Sequence, residues 1–130
     1  MSSAALALER EGLIRLGQEE YMAACASCHG KDGRGGGPVA EVLRQEPTDL
    51  TQLTKEYNGQ FPRENLYRVI DGRQMINPHG SRQMPVWGWR FQAEAQEELR
   101  RVPHAWPDAR ALVIGRITSI IAYIESIQEE

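Results

Sequence analysis

The chain is poor in cysteine and lysine, with two of each in 130 residues. Two cysteines cannot form the disulfide framework of a small secreted scaffold. Cys25 and Cys28 are also so close that a bridge between them would close almost no loop. No run approaches the ~18 apolar residues needed to span a bilayer, so no membrane helix is expected. The 13 arginines and two lysines (Lys31, Lys55) are scattered, and the net charge is −3. There is thus no basic stripe of the kind that binds nucleic acid. The first ten residues lack a basic start and a long apolar stretch, so they do not form a secretory signal. Repeats, charge blocks and convincing apolar–polar alternation are missing as well, and strands are not needed.

What remains is ordinary for a globular protein: 41% hydrophobic and 25% charged residues, in a length that suits one domain, taken as 1–130. Helical patterns stand at both ends. The first is expected over residues 6–26, with Leu13, Gly17, Tyr21 and Ala24 on one face. The last is expected over 108–128, where Val113, Ile117, Ile120, Ile124 and Ile127 form a stripe widened by Ile114 and Ile121. Asp108 after Pro107 suits its N-cap. Shorter helices are expected over 38–44 and 62–71, the latter with Pro62 in its first turn and Gly72 at C′. A short turn is expected over 49–54, and an exposed charged helix over 92–101. The fold class is all-α. The middle of the chain has too few apolar residues to pack itself, so something else is expected to fill the centre.

Cys25-Ala-Ser-Cys28-His29 supplies a candidate. C-x-x-C-H is the attachment motif of c-type haem. Two thiols three positions apart on one helical turn can reach two vinyl groups on one porphyrin edge, and the next residue turns its imidazole to the iron. Zinc would want four ligands, and one cysteine pair with the separated His79 and His104 lacks that spacing. A thioredoxin-like site would want the motif after a strand in a βαβ unit, and none is visible.

With these residues the chain resembles the class I cytochromes c, over nearly its whole length. Gly17, Tyr21 and Cys25-Ala-Ser-Cys28-His29-Gly30 are similar to that family's first helix, and Ile120 and Tyr123 to its last. The resemblance implies N- and C-terminal helices packed crosswise, with short helices and loops around one covalent haem. Met84-Pro-Val-Trp-Gly88 is similar to the family's methionine loop. Met84 is therefore the expected sixth ligand, and thioether ligation opposite histidine raises the reduction potential. Met75 is the rival without the flanking motif, and Met22 stands too near the cysteines. By the same resemblance Pro38 offers its carbonyl to the far nitrogen of His29. Arg73, Arg82, Asn77, Trp87 and Trp89 are expected around the haem propionates, with Tyr57 a further donor, and Tyr67 faces the methionine side. Residues 90–110 separate the methionine loop from the last helix by more than is usual in smaller members. They read as a peripheral insertion.

The resemblance implies one-electron transfer by haem c cycling between Fe(II) and Fe(III) with His29/Met84 ligation. Such a protein is a soluble carrier, or a haem domain or subunit of a larger redox system, rather than an enzyme in itself. Its partners are other redox proteins. Haem attachment in bacteria works outside the cytoplasmic membrane, so the expected location is periplasmic, with a signal or anchor absent from this chain. Two other readings stay open: a haem sensor or small-ligand binder with a labile Met84, and a zinc-binding module.

Overall fold

A computed structural model describes residues 2–75, 83–102 and 108–130. Its helices, in chain order, are α1 (Ser3–Ala24), α2 (Ala26–His29), α3 (Leu53–Glu56), α4 (Arg63–Asp71), α5 (Trp87–Arg101) and α6 (Ala109–Ser126), with 3₁₀ turns at Ala40–Val42 and Leu50–Gln52. No strand occurs among the described residues. The chain is all-α, with the N- and C-terminal helices packed on each other.

That packing follows from one small residue. A Cβ placed on Gly17 of α1 would lie 1.7 Å from the carbonyl oxygen of Ser119 on α6. Only a glycine lets the two backbones meet there. Around this contact α1 buries Tyr21, and α6 buries Val113, Ile117, Ile120, Tyr123 and Ile124. The Tyr21 and Tyr123 rings meet at 5.1 Å. Each such apolar side chain contributes about 1.5–3 kcal/mol on leaving water. The α6 stripe stands as expected except at Ile114, which is 47% exposed.

The ends of the helices are set by local chemistry. Ser2 caps α1, its hydroxyl accepting from the Ala5 amide, so the helix starts three residues earlier than periodicity suggested. Asp108 caps α6 by accepting from the Ala111 amide at 3.0 Å. Gly72 ends α4 in the left-handed region at φ 70°, and Pro62 stands just before that helix rather than in its first turn. The helix expected over 38–44 shrinks to a 3₁₀ turn that ends at Leu43, whose backbone is extended at ψ 146°.

α5 departs most from the sequence reading. It starts at Trp87, inside the methionine motif, and buries Gly88, Phe91 and Ala95. Phe91 is 1% exposed. The segment is therefore no peripheral insertion through residue 101: α5 is a core helix packed on α6. The expected helix over 92–101 is present and mostly exposed, but a helix started at Gln92 leaves out Gly88 and Phe91, which show the apolar face. Arg116 of α6 lies 4.0 Å above the Phe91 ring and bonds both Glu20 of α1 and Glu94 of α5. One guanidinium thus joins three helices.

Candidate haem site

α1 does not run straight through the cysteine motif. Cys25 stands between α1 and α2 at φ −115°, while its amide still donates to the Tyr21 carbonyl at 2.8 Å. The His29 amide then donates to the Cys25 carbonyl at 2.9 Å. Cys25, Cys28 and His29 are thereby held on one short helical turn.

A four-residue helix leaves its carbonyls without helical partners. The glycine-rich loop supplies them. The amides of Gly30, Val39, Gly37 and Gly35 donate to the carbonyls of Ala26, Ser27, Cys28 and His29 in turn, at 2.7–3.1 Å. The loop must fold flat on the helix to do this. A Cβ on Gly37 would lie 2.3 Å from the Ser27 carbonyl oxygen, and one on Gly35 would lie 2.6 Å from that of Pro47. The low-complexity stretch 33–38 is the cap of the motif.

Beside this turn lies a cavity of about 530 Å³, within the usual ~300–1,000 Å³ for cofactor sites. Ala24, Cys25, Cys28 and His29 line it, as do Met84, Pro85 and Trp87 and the 43–48 loop. The expected thiols, imidazole and thioether therefore face one space. The donor set fits a c-type haem: two free thiols beside one imidazole, with a thioether on the same cavity. Met75, the rival, is 51% exposed and lies outside this lining. Met22 is exposed as well.

His29 Nδ1 lies 3.0 Å from the carbonyl oxygen of Thr48. An Nδ1–H donating there leaves the lone pair on Nε2, the tautomer a metal ligand needs. Burial lowers the His29 pKa below the ordinary histidine value, and the Thr48 hydrogen bond acts against it. Thr48 thus replaces Pro38, which is exposed and does not line the cavity. Pro38 follows the glycine loop as it turns away across α2, whereas residue 48 returns beside the imidazole. No feature of the sequence marks Thr48, because any residue carries a carbonyl. Burial pushes the Cys25 thiol up to about 12, with Glu20 and Cys28 adding to the effect. A thiol held protonated is a poor redox nucleophile, which speaks against a thioredoxin-like role.

The expected propionate partners are redistributed. Arg73 is committed to Asp71, its Nε and one terminal nitrogen each 2.8 Å from Oδ1. This pair packs against Gly88, where a Cβ would lie 2.3 Å from Asp71 and 2.5 Å from Arg73. Arg73 therefore ties the end of α4 to the start of α5 rather than lining the cavity. Trp87 does line it, with Arg90 stacked 4.9 Å from its ring. Trp89 is 62% exposed, and Tyr57 accepts from Asn65 at 2.9 Å. Tyr67 is half-buried against the core. Arg44 and Arg90 are the cations that line the cavity among the described residues, with the carboxylate Glu46 beside them. Arg82, Asn77, His79 and His104 lie outside the described residues. No group of three or more His, Cys, Asp and Glu residues able to hold a metal ion occurs among the described residues, so a zinc centre has no ligand set there. No described helix is long and apolar enough to cross a membrane.

Comparison with known proteins gives one family. The model described as cytochrome C oxidase, cbb3-type, subunit III matches residues 12–101, from within α1 to the end of α5. No curated protein and no solved structure matches the chain. The match spans more than half the chain and includes the cysteine motif, the glycine loop and the methionine loop, so the protein belongs to this family and is a c-type cytochrome domain that serves electron transfer.

Proposed function

We propose that residues 1–130 form one monohaem domain that passes single electrons between redox proteins. In this reading Cys25 and Cys28 carry the haem through thioether bonds, His29 is the proximal ligand and Met84 the distal one. The observation that carries it is the shared lining: one cavity collects Cys25, Cys28, His29, Met84 and Trp87. When bound, the haem iron would supply the Fe(III)/Fe(II) couple. The chain contributes the rest. The Thr48 carbonyl holds the His29 tautomer, Trp87 and Pro85 wall the cavity around Met84, and Arg44 and Arg90 offer donors to carboxylates. Were His29 and Met84 both to hold the iron, no coordination site would be left for a substrate, which would favour carriage of electrons over bond chemistry.

The family's description names an oxidase subunit. A haem domain within such a system, or a soluble carrier delivering to one, both accord with this reading. The machinery that attaches haem c in bacteria works outside the cytoplasmic membrane, which supports a periplasmic location.

Mass measurement of the denatured protein tests the attachment. The chain is expected to carry the mass of one haem after denaturation. Cys25→Ala together with Cys28→Ala is expected to lose it. A wild-type chain that releases all its haem on denaturation would overturn the covalent assignment.

A further inference from the structure

Two segments meet at His29: the loop that follows it and the 47–54 segment that supplies the Thr48 carbonyl. Two residues beyond α6 reach them: Gln128 and Glu129 hold the second segment, and Glu129 also holds the loop. The Gln128 side chain uses its whole amide on the second segment and its own helix. Its Nε2 donates to the carbonyls of Leu50 at 2.6 Å and Ile124 at 2.9 Å. Its Oε1 accepts from the Thr54 amide at 2.9 Å and the Thr54 hydroxyl at 3.2 Å. The Glu129 amide donates to the Thr51 carbonyl at 2.9 Å. The Glu129 carboxylate accepts from Gln52 Nε2 at 2.8 Å and pairs with Arg34 in the loop after His29. Between the two segments, the Leu50 amide donates to the Gly33 carbonyl at 2.7 Å. Gln128 and Glu129 themselves lie outside the span that the family model matches.

We propose that Gln128 and Glu129 act as positioning residues, clamping the Thr48 carbonyl against His29 Nδ1–H and so setting the reduction potential of the site. This rests on the reading of His29 as the iron ligand. An acceptor on Nδ1–H makes Nε2 the stronger donor, which favours the ferric state. A looser clamp weakens the acceptor and favours the ferrous state.

The test measures the midpoint potential of the haem-loaded protein, together with proton NMR of the ferric form. Gln128→Ala is expected to raise the midpoint and speed solvent exchange of the His29 Nδ1 proton. Glu125→Ala, one turn back on α6, removes the ion pair with Arg63 and is expected to leave both readings unchanged. An unmoved midpoint and exchange rate in Gln128→Ala would overturn the clamp alone, as would an equal shift in Glu125→Ala. If the wild-type ferric protein showed no hyperfine-shifted histidine signals, the axial reading would fail and the clamp with it.

Discussion

The two sides of the haem cavity are built by different means. The His29 side is a backbone construction: four successive α2 carbonyls capped by loop amides, and a fifth carbonyl, that of Thr48, on the imidazole. The Met84 side is a side-chain construction. Trp87 packs 5.6 Å from Phe91, Arg90 stacks on Trp87, and the Asp71–Arg73 pair fills the space above Gly88. The first kind of site tolerates most residues provided the backbone can make close contact. The second depends on which side chains are present. The two halves should therefore fail differently when mutated.

The two largest effects are expected at Gly37 and Phe91. An added methyl at 2.3 Å from the Ser27 carbonyl must push the loop off α2. Gly37→Ala should cost about 3 kcal/mol in denaturant unfolding of the haem-loaded protein, and it should perturb the His29 signals before those of Met84. Phe91→Ala should cost a similar ~3 kcal/mol or somewhat more by leaving a cavity under Trp87 and Arg116. It should disturb the Met84 methyl resonance and leave that of the His29 Nδ1 proton in place. Equal disturbance of both ligands by either variant would erase the distinction between the two sides.

The smallest effect is expected at Asp49. Its carboxylate caps the 3₁₀ turn that follows Thr48, accepting from the Thr51 amide at 2.9 Å and the Thr51 hydroxyl at 2.6 Å. The hydroxyl bond is the main reason its pKa lies below the ordinary aspartate value, with burial acting the other way. Asp49→Ala should cost about 1 kcal/mol at neutral pH. A depressed folded-state pKa gives stability that is present above the unfolded value and is lost as pH falls through the folded one. The difference between wild type and variant should thus shrink in acid, as thermal unfolding at several pH values would reveal.

Much of this was legible in the sequence, for reasons that differ residue by residue. The C-x-x-C-H spacing, the α6 stripe and the Asp108 cap are local patterns, and local patterns survive folding. Gly17 was legible as a crossing point through the resemblance, and the close approach to Ser119 bears it out. The methionine loop marked Met84 as a candidate by resemblance, and Met84 lines the cavity whereas Met75 does not. Thr48 was not legible, because its contribution is a carbonyl and its partner lies 19 residues away. Arg73 was misjudged because the sequence does not show that Asp71 claims it first. α5 was misread because its apolar face begins inside the methionine motif, at Gly88 and Phe91. The Gln128 contacts bridge more than 70 residues, beyond the reach of any periodicity.

The optical spectrum of the purified ferric protein bears most directly on the His29/Met84 pair. A weak far-red band from sulphur-to-iron charge transfer is expected in the wild type, lost in Met84→Ala and kept in Met75→Ala. A haem-bearing wild type without that band would contradict Met84 ligation and bring forward a ligand-binding or sensing role at an open sixth position.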